Sequence, residues 1–123
     1  MIQHGLPGRI VNISSTLGLK AMSQLAVYCM SKAATVQMTK VMALEWARYG
    51  INVNAICPGY IETELNADYW ATDGGKKLTA MLPRRRVGRP SDLDAVLLLL
   101  ASGEESRFLN GAIINVDDGL TYA

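Results

Sequence analysis

The sequence has few cysteines, almost no net charge and no long hydrophobic run, and each shortage excludes a class of protein. Cys29 and Cys57 are the only cysteines, too few and too far apart for a disulfide framework or a zinc-ligand spacing. With 12 basic and 11 acidic side chains the net charge is +1, so we expect no nucleic-acid partner and no attraction to an acidic membrane. The longest apolar run, residues 95–101, is too short to cross a bilayer, and the first residues lack a signal-peptide pattern. These shortages favour a cytoplasmic protein whose two cysteines are buried, inert thiols.

The residues that are present suit a single folded domain with alternating strands and helices. Half of the 123 residues are hydrophobic, and no repeat or change of composition divides the chain. Periodicity and turn residues predict, in chain order, strand 9–15, helix 25–49, strand 51–57, helix 93–102 and strand 112–116. Strands that alternate with helices are typical of a parallel sheet joined by right-handed crossovers.

The sequence also predicts some local details of these elements. Apolar residues on both sides of strand 9–15 predict that both of its faces are covered. In helix 25–49, a set of apolar residues recurs at helical spacing: Val27, Met30, Ala34, Val41 and Leu44. Ser91 is expected to cap the helix near residue 93, and residues 60–90 are expected to be irregular or partly helical.

Tyr28-x-x-x-Lys32 is the most informative chemical pattern in the chain. Residues four apart on a helix lie one turn apart on nearly one face, so the phenol and the ammonium would be neighbours. Lowering the pKa of a tyrosine from about 10 by about 3 units takes roughly 4 kcal/mol, which an ammonium in a desolvated cleft can supply. Ser15 ends the preceding predicted strand, at the sheet edge where ligands bind in parallel α/β folds. We expect Ser15, Tyr28 and Lys32 to share a cleft, with Ser14 as the competing hydroxyl because neighbouring strand residues face opposite sides.

Five segments then follow one another in a specific order. They are Ile10–Ser15, Tyr28-x-x-Ser31-Lys32, Asn52–Gly59 with Thr63 beyond it, Arg86–Pro90 and Gly111–Gly119. Together they resemble the short-chain dehydrogenase/reductase family, from about Gly8 to Gly119. The resemblance implies an α/β fold, a Rossmann-like doubly wound parallel sheet with only its C-terminal half present, so that residues 1–123 are the C-terminal part of a single NAD(P)-binding domain.

The resemblance also implies a role for each matching residue. Tyr28 would be the general acid or base in the interconversion of an alcohol and a carbonyl compound. Lys32 would lower the pKa of Tyr28 and bind the nicotinamide ribose, and Ser15 would hold the substrate oxygen. The cofactor, NAD or NADP, would contact Tyr28 and Lys32 as well as a second set of residues: Pro58, Gly59, Ile61 and Thr63. The substrate would be a small alcohol or ketone, and no metal is expected.

The sequence departs from the family pattern in several places. No Gly-x-x-x-Gly-x-Gly segment occurs, and the family's fourth catalytic residue, an asparagine, would fall upstream of residue 1. Asp118 stands where the family commonly has glycine. The family's variable substrate lid would fall on an apolar and aromatic set: Tyr60, Leu65, Tyr69, Trp70, Leu78, Met81 and Leu82. The arginines at 84–86 and 89 are expected in a solvated loop or a subunit contact, with an anionic-substrate clamp as the alternative.

A second interpretation is a truncated, non-catalytic remnant that only associates with itself or with a partner chain. A three-stranded sheet would leave an unpaired edge, which invites such pairing. In the family, the helix at 25–49 packs against another subunit, so the resemblance implies a homo-oligomer, a dimer or tetramer, through that helix. The residues do not distinguish NAD from NADP, nor do they indicate the substrate, its stereochemistry or the direction of reaction.

Overall fold

The chain folds around a three-stranded parallel sheet with strand order β1-β2-β3, which confirms the expected α/β class. A computed structural model describes all residues, 1–123. The strands are β1 (Gly8–Ile13), β2 (Ile51–Pro58) and β3 (Ile113–Val116). The helices are α1 (Ala26–Trp46), α2 (Ala67–Ala71), α3 (Asp73–Met81) and α4 (Asp94–Ala101). Each predicted strand and helix is present, and residues 60–90 are partly helical as expected.

The central strand β2 holds most of the buried core. Six of its eight residues are buried, and Val53, Ala55 and Cys57 are fully enclosed. Two asparagines in this strand are satisfied by the loop that leads to β3: Asn52 and Asn54 both donate to the carbonyl of Leu109. Because buried amides are stable only when paired, these bonds fix the path of the chain into β3.

The helix α1 lies against the sheet through a narrow stripe that differs from its most hydrophobic residues. Val36, Thr39 and Ala43 are its buried residues, and the Thr39 hydroxyl is paired with Thr35 O and Asn12 Nδ2. The apolar set recognised in the sequence faces outward instead, with Val27 75% and Leu44 82% exposed. The same face continues back along the helix in steps of four residues, from Val36 to Lys32, which is half-buried, and to Tyr28, which is exposed, toward the carboxyl ends of the strands.

Three local expectations were wrong. The strand β1 stops at Ile13 rather than at residue 15, because Ser15 caps a 3₁₀ turn at Thr16–Gly18. The same strand is only half-buried, so this chain covers β2 rather than β1 on both faces. Ser91 is not a cap, because Pro90 starts a 3₁₀ turn before α4, and Asp92 closes that turn by accepting from the Arg89 amide at 2.7 Å.

One sheet edge and several apolar surfaces are exposed. The strand β1 pairs only with β2, so its other edge is unpaired. Only 16 of the 123 residues are buried, and large apolar side chains on α1 and α4 are exposed, which leaves a small core for a chain of this length. None of the helices is both long enough and apolar enough to span a membrane.

Candidate active site

A hollow of about 330 Å³ opens at the carboxyl ends of β1 and β2. Four of its lining residues bear a hydroxyl: Ser15, Thr16, Tyr28 and Tyr60. Its other residues are Leu17, Leu25, Pro58, Gly59 and Leu120. The hollow therefore combines hydroxyl groups with an apolar wall, and no charged side chain lines it.

Ser14 and Ser15, which follow β1, lie in different environments. Ser14 is buried and donates to the carbonyl of Lys32 at 2.8 Å, so its hydroxyl is occupied inside the fold. Ser15 lines the hollow, where its oxygen accepts from the Leu17 amide at 3.1 Å and its proton remains free to donate outward. This arrangement favours Ser15 over Ser14 as the hydroxyl that faces a substrate.

Tyr28 and Lys32 lie one turn apart on the sheet-facing stripe of α1, as the spacing predicted. The Lys32 ammonium is 5.7 Å from the centre of the Tyr28 ring, and it also donates to the carbonyl of Ile13 at 3.2 Å. The Tyr28 side chain is 44% exposed at the mouth of the hollow. A hydrogen bond to the backbone of β1 thus holds the ammonium near the Tyr28 ring.

A close contact at Gly18 joins the 3₁₀ turn to α1. A Cβ atom at this position would lie 2.8 Å from the carbonyl oxygen of Lys32 and 2.7 Å from Ser14 Oγ. Only glycine allows this approach, so the turn that carries Ser15 lies directly against the helix that carries Tyr28.

The predicted cofactor residues are only partly assembled in one place. Pro58 and Gly59 line the hollow beside Tyr28, whereas Ile61 lines a neighbouring hollow of about 370 Å³. Thr63 lines neither hollow and is exposed. Gly59 passes so close to β3 that a Cβ there would lie 2.9 Å from the Asp117 Cα, which explains a glycine at this point.

The sequence analysis missed a hydrogen-bonded carboxylate that connects the strand ends. Asp117 accepts from the amides of Gly119 and Thr121, and Thr16 Oγ1 lies 3.3 Å from the same carboxylate. Burial opposes ionisation of Asp117, but the bonds from Thr121, Gly119 and Thr16 outweigh it and hold the pKa of the carboxyl below its ordinary value. Thr16 also lies 3.0 Å from the carbonyl of Pro58, so this cluster connects the ends of all three strands. The Asp-x-Gly turn was the available signal for it.

The aromatic residues expected in the lid partly reach the hollow. Tyr60 lines it, packs edge-on against Trp70 with ring centres 5.5 Å apart, and places its hydroxyl 3.7 Å from Met22 Sδ. Burial raises the pKa of the Tyr60 phenol above its ordinary value, with a smaller effect from Tyr69. Leu65 and Met81 are 99% and 79% exposed, so these two residues lie outside the hollow.

The arginine-rich loop lies at the neighbouring hollow. Arg84 and Arg86 both pair with Asp118, at 3.3 and 2.8 Å. Arg86 holds the pKa of the Asp118 carboxyl below its ordinary value. Asp118 adopts a φ of 55°, a left-handed conformation that explains why the family commonly has glycine here. The two guanidinium groups share one carboxylate at the surface, and neither arginine lines the hollow that contains Ser15 and Tyr28.

The two cysteines are in different environments. Cys57 is fully buried in β2, and burial raises the pKa of its thiol above the ordinary value. Cys29 is partly exposed on α1, so the expectation that both cysteines are buried was wrong for this residue. No group of three or more histidine, cysteine, aspartate or glutamate side chains is placed to hold a metal ion.

Sequence and structure comparisons place this arrangement in a known family. A family profile described as enoyl-(acyl carrier protein) reductase matches residues 1–121. The chain belongs to the short-chain dehydrogenase/reductase family, as its motifs had indicated.

Several of the proteins that it matches are dehydrogenases about twice as long. An NAD-dependent glycerol dehydrogenase of Listeria innocua is 42% identical over 114 residues, which cover 93% of this chain and 44% of that protein. A 2-dehydro-3-deoxy-D-gluconate 5-dehydrogenase of Dickeya dadantii is 39% identical over 122 residues, 96% of this chain and 47% of the other. A crystal structure of a gluconate 5-dehydrogenase from Burkholderia cenocepacia, in complex with NADP and tartrate, superposes with a TM-score of 0.89 at 38% identity over 99% of this chain and 48% of that one. The chain thus spans about half the length of the curated relatives it matches.

Proposed function

We propose that residues 1–123 are the C-terminal part of a single NAD(P)-binding, Rossmann-like domain in an oxidoreductase that interconverts an alcohol and a carbonyl compound. The observation that supports this most directly is the shared hollow: Ser15 and Tyr28 line it together, and Lys32 lies beside the Tyr28 ring. The similarity to NAD- and NADP-linked dehydrogenases supports the same class of reaction.

The residues of this chain fit the nicotinamide end of the cofactor. Pro58 and Gly59 present backbone at the hollow, and neither the Ile61 amide nor the Thr63 hydroxyl has a hydrogen-bond partner within the chain. A free N–H donor and a free hydroxyl suit the carboxamide of a nicotinamide ring, with Ile61 acting through its backbone. The Lys32 ammonium has a further donor available for the ribose. No glycine-rich phosphate loop occurs in residues 1–123, so the chain offers no matching site for the pyrophosphate.

In the proposed reaction, Tyr28 moves the proton. When bound, the nicotinamide cofactor supplies or accepts the hydride. For alcohol oxidation, the Tyr28 phenolate would take the proton from the hydroxyl oxygen, and a hydride would leave the carbon that bears this oxygen for the oxidised cofactor, so that the C–O bond becomes a carbonyl. Reduction reverses both transfers. Lys32 stabilises the phenolate. The Ser15 hydroxyl donates a hydrogen bond to the substrate oxygen as negative charge develops there.

A chimaeric protein tests this proposal. Residues 1–123 are placed behind the N-terminal half of the Listeria glycerol dehydrogenase, and NAD(P)H absorbance is followed with a panel of secondary alcohols. Tyr28→Phe should lower kcat by about 100-fold or more, the usual contribution of general acid–base catalysis. Lys32→Met should also lower kcat, because it removes the ammonium that stabilises the phenolate.

Tyr49→Phe is the matched control. It removes the same hydroxyl from a tyrosine that stacks on Arg48 outside the hollow, so its rate should be unchanged. Turnover in Tyr28→Phe equal to that in Tyr49→Phe would remove Tyr28 from the mechanism.

The second candidate is a non-catalytic chain that associates with itself or with a partner. It is favoured by the unpaired edge of β1 and by the outward apolar face of α1, where Val27, Met30 and Leu44 are more than half exposed. A homo-oligomer through the helical region 25–49 would cover that face.

Two measurements on the isolated chain separate the candidates. Light scattering gives the mass of the species in solution, and titration with NADH and NADPH gives cofactor affinity. Micromolar binding supports the enzyme. A self-associated chain that binds neither nucleotide, together with a chimaera that shows no turnover, supports the second candidate.

A further inference from the structure

We propose that the substrate of this site is a neutral secondary alcohol or ketone with one ring-sized apolar group, rather than a sugar acid or an open-chain polyol. This inference rests on the proposed function and narrows its substrate class. It differs from the glycerol and gluconate compounds named for the relatives described above.

The hollow offers no cationic partner for a substrate carboxylate. No lysine, arginine or histidine side chain lines the hollow. The Lys32 ammonium lies beside Tyr28 and donates to Ile13 O, and its remaining donors are assigned to the nicotinamide ribose. Arg84 and Arg86 both pair with Asp118 at the neighbouring hollow. An anionic substrate would therefore lose its hydration without gaining an opposite charge, which strongly disfavours binding.

A negative charge lies close to one end of the hollow. The Asp117 carboxylate lies 3.3 Å from Thr16 Oγ1, and Thr16 lines the hollow. The pKa of the Asp117 carboxyl lies below its ordinary value, so Asp117 is ionised at neutral pH. Its negative charge repels an anion at the end of the hollow where Thr16 lies.

The hollow has an apolar wall and few free hydroxyl groups. Leu17, Leu25 and Leu120 form the apolar wall, and the Tyr60 ring is fixed by Trp70. The Tyr60 hydroxyl faces Met22 Sδ, and the Thr16 hydroxyl faces Pro58 O and Asp117. Only Ser15 and Tyr28 remain to pair with a substrate, and both are assigned to the reacting oxygen. The other hydroxyls of a polyol would be left unpaired, which lowers selectivity for such a substrate.

The volume of the hollow also suits a substrate with one ring. A cavity of about 150 Å³ holds one benzene molecule. The hollow of about 330 Å³ is therefore large enough for two single rings, namely the nicotinamide ring and one ring of the substrate. 1-Phenylethanol and acetophenone, or cyclohexanol and cyclohexanone, fit this description.

The chimaera provides the main test, with 1-phenylethanol, glycerol and gluconate as probes. We expect kcat/KM for 1-phenylethanol to exceed that for either of the others by about 100-fold or more. Leu120→Arg would place a guanidinium in the wall and should move the preference toward gluconate. Leu98→Arg adds the same group at a 71% exposed position on α4 outside the hollow and should leave the preference unchanged. A kcat/KM for glycerol or gluconate equal to or above that for 1-phenylethanol would overturn the inference.

A binding measurement separates this inference from the proposed function. Methyl NMR spectra of the chimaera are recorded with acetophenone and with gluconate. Shifts at Leu17, Leu25 and Leu120 with acetophenone alone support the substrate class, even where no compound is turned over. Absence of turnover counts against the proposed function only. Shifts with gluconate at equal concentration, or no shifts with acetophenone, overturn the substrate class.

Discussion

Replacing Gly18 by alanine should loosen the junction on which the hollow depends. The added Cβ would lie 2.7 Å from Ser14 Oγ and 2.8 and 2.9 Å from the carbonyl oxygen and carbon of Lys32. Ordinary contacts of a Cβ fall at 3.4–4 Å, so the turn and α1 must separate by roughly half an ångström. Two of the three atoms belong to the helix backbone, which cannot rotate away as a side chain can.

The size of the effect follows from the cost of overpacking. Forcing an extra carbon into a filled site costs about 1–3 kcal/mol. A cost of about 2 kcal/mol reduces the folding equilibrium about 30-fold. With a urea dependence of about 1–2 kcal/mol per molar, the unfolding midpoint should fall by about 1–2 M. Urea titration of the isolated chain, followed by far-UV circular dichroism, measures this shift.

Two further variants show whether the contact is the cause. Gly103→Ala is the control, because a Cβ at Gly103 has no neighbour within 4 Å and its midpoint should not fall. Adding Ser14→Ala to Gly18→Ala removes one of the three close atoms and should recover only part of the loss. Equal midpoints for Gly18→Ala and Gly103→Ala, or full recovery in the double variant, would refute the reasoning.

Two other predictions concern titratable groups. Because the pKa of Asp117 is lower in the folded chain, its contribution is complete above the unfolded value near ~3.9 and disappears as the pH falls through the folded value. Asp117→Asn should therefore lower the urea midpoint at pH 7 and make the midpoint fall less steeply in acid. Glu64→Gln is the control and should leave the fall in acid unchanged. Midpoints of Asp117→Asn and the unaltered chain that fall in parallel below about pH 4 would contradict this prediction. Burial and a raised pKa should protect Cys57, so a thiol reagent should modify Cys29 first and Cys57 only on unfolding, as mass spectrometry can establish. Equal labelling rates in the native chain would disprove the assigned burial.

The sequence was sufficient for the order of elements and for the relation between Tyr28 and Lys32. Both depend on local regularities: the alternation of strands, the helical turn and the turn residues that separate them. The helix boundaries agree with prediction within a few residues, since a 3₁₀ turn at Ala47–Tyr49 continues α1 to the predicted end. The placement of Ser15 beside Ser14 was predictable only as a choice of two, and the Ser14–Lys32 hydrogen bond indicates which remains free.

The sequence did not show which face of α1 meets the sheet. Hydrophobicity highlights Val27, Met30 and Leu44, whereas the buried stripe contains Thr39, a polar residue. Thr39 can be buried because its hydroxyl is paired with Thr35 and Asn12. Pairing of this kind depends on three-dimensional contacts, which a hydrophobic period does not record.

Contacts between distant parts of the chain were also beyond the sequence. The bond between Thr16 and Asp117 joins residues 101 positions apart, and Leu120 reaches the hollow from the far end of the chain. No local pattern connects such residues, and the Asp-x-Gly turn indicates at most that the carboxylate bonds to its own turn. The substrate-facing wall is therefore the part of the site that required coordinates.

The residues of the candidate site have one support in common, the buried strand β2. Ser15 follows β1, which pairs with β2 from Gly8↔Ile51 to Ile13↔Ile56, and Asp117 follows β3, which pairs with β2 as far as Pro58↔Val116. Tyr28 continues the stripe through which α1 packs on the sheet. Parallel strands end at the same edge of a sheet. The register set by these pairs therefore brings Ser15, Asp117 and the Pro58–Gly59 backbone together. The open edge of β1 contributes no contact to this arrangement. The chemistry of the hollow and the exposed association surfaces are thus separable properties, because the first depends on β2 and the second on the outer faces of β1 and α1.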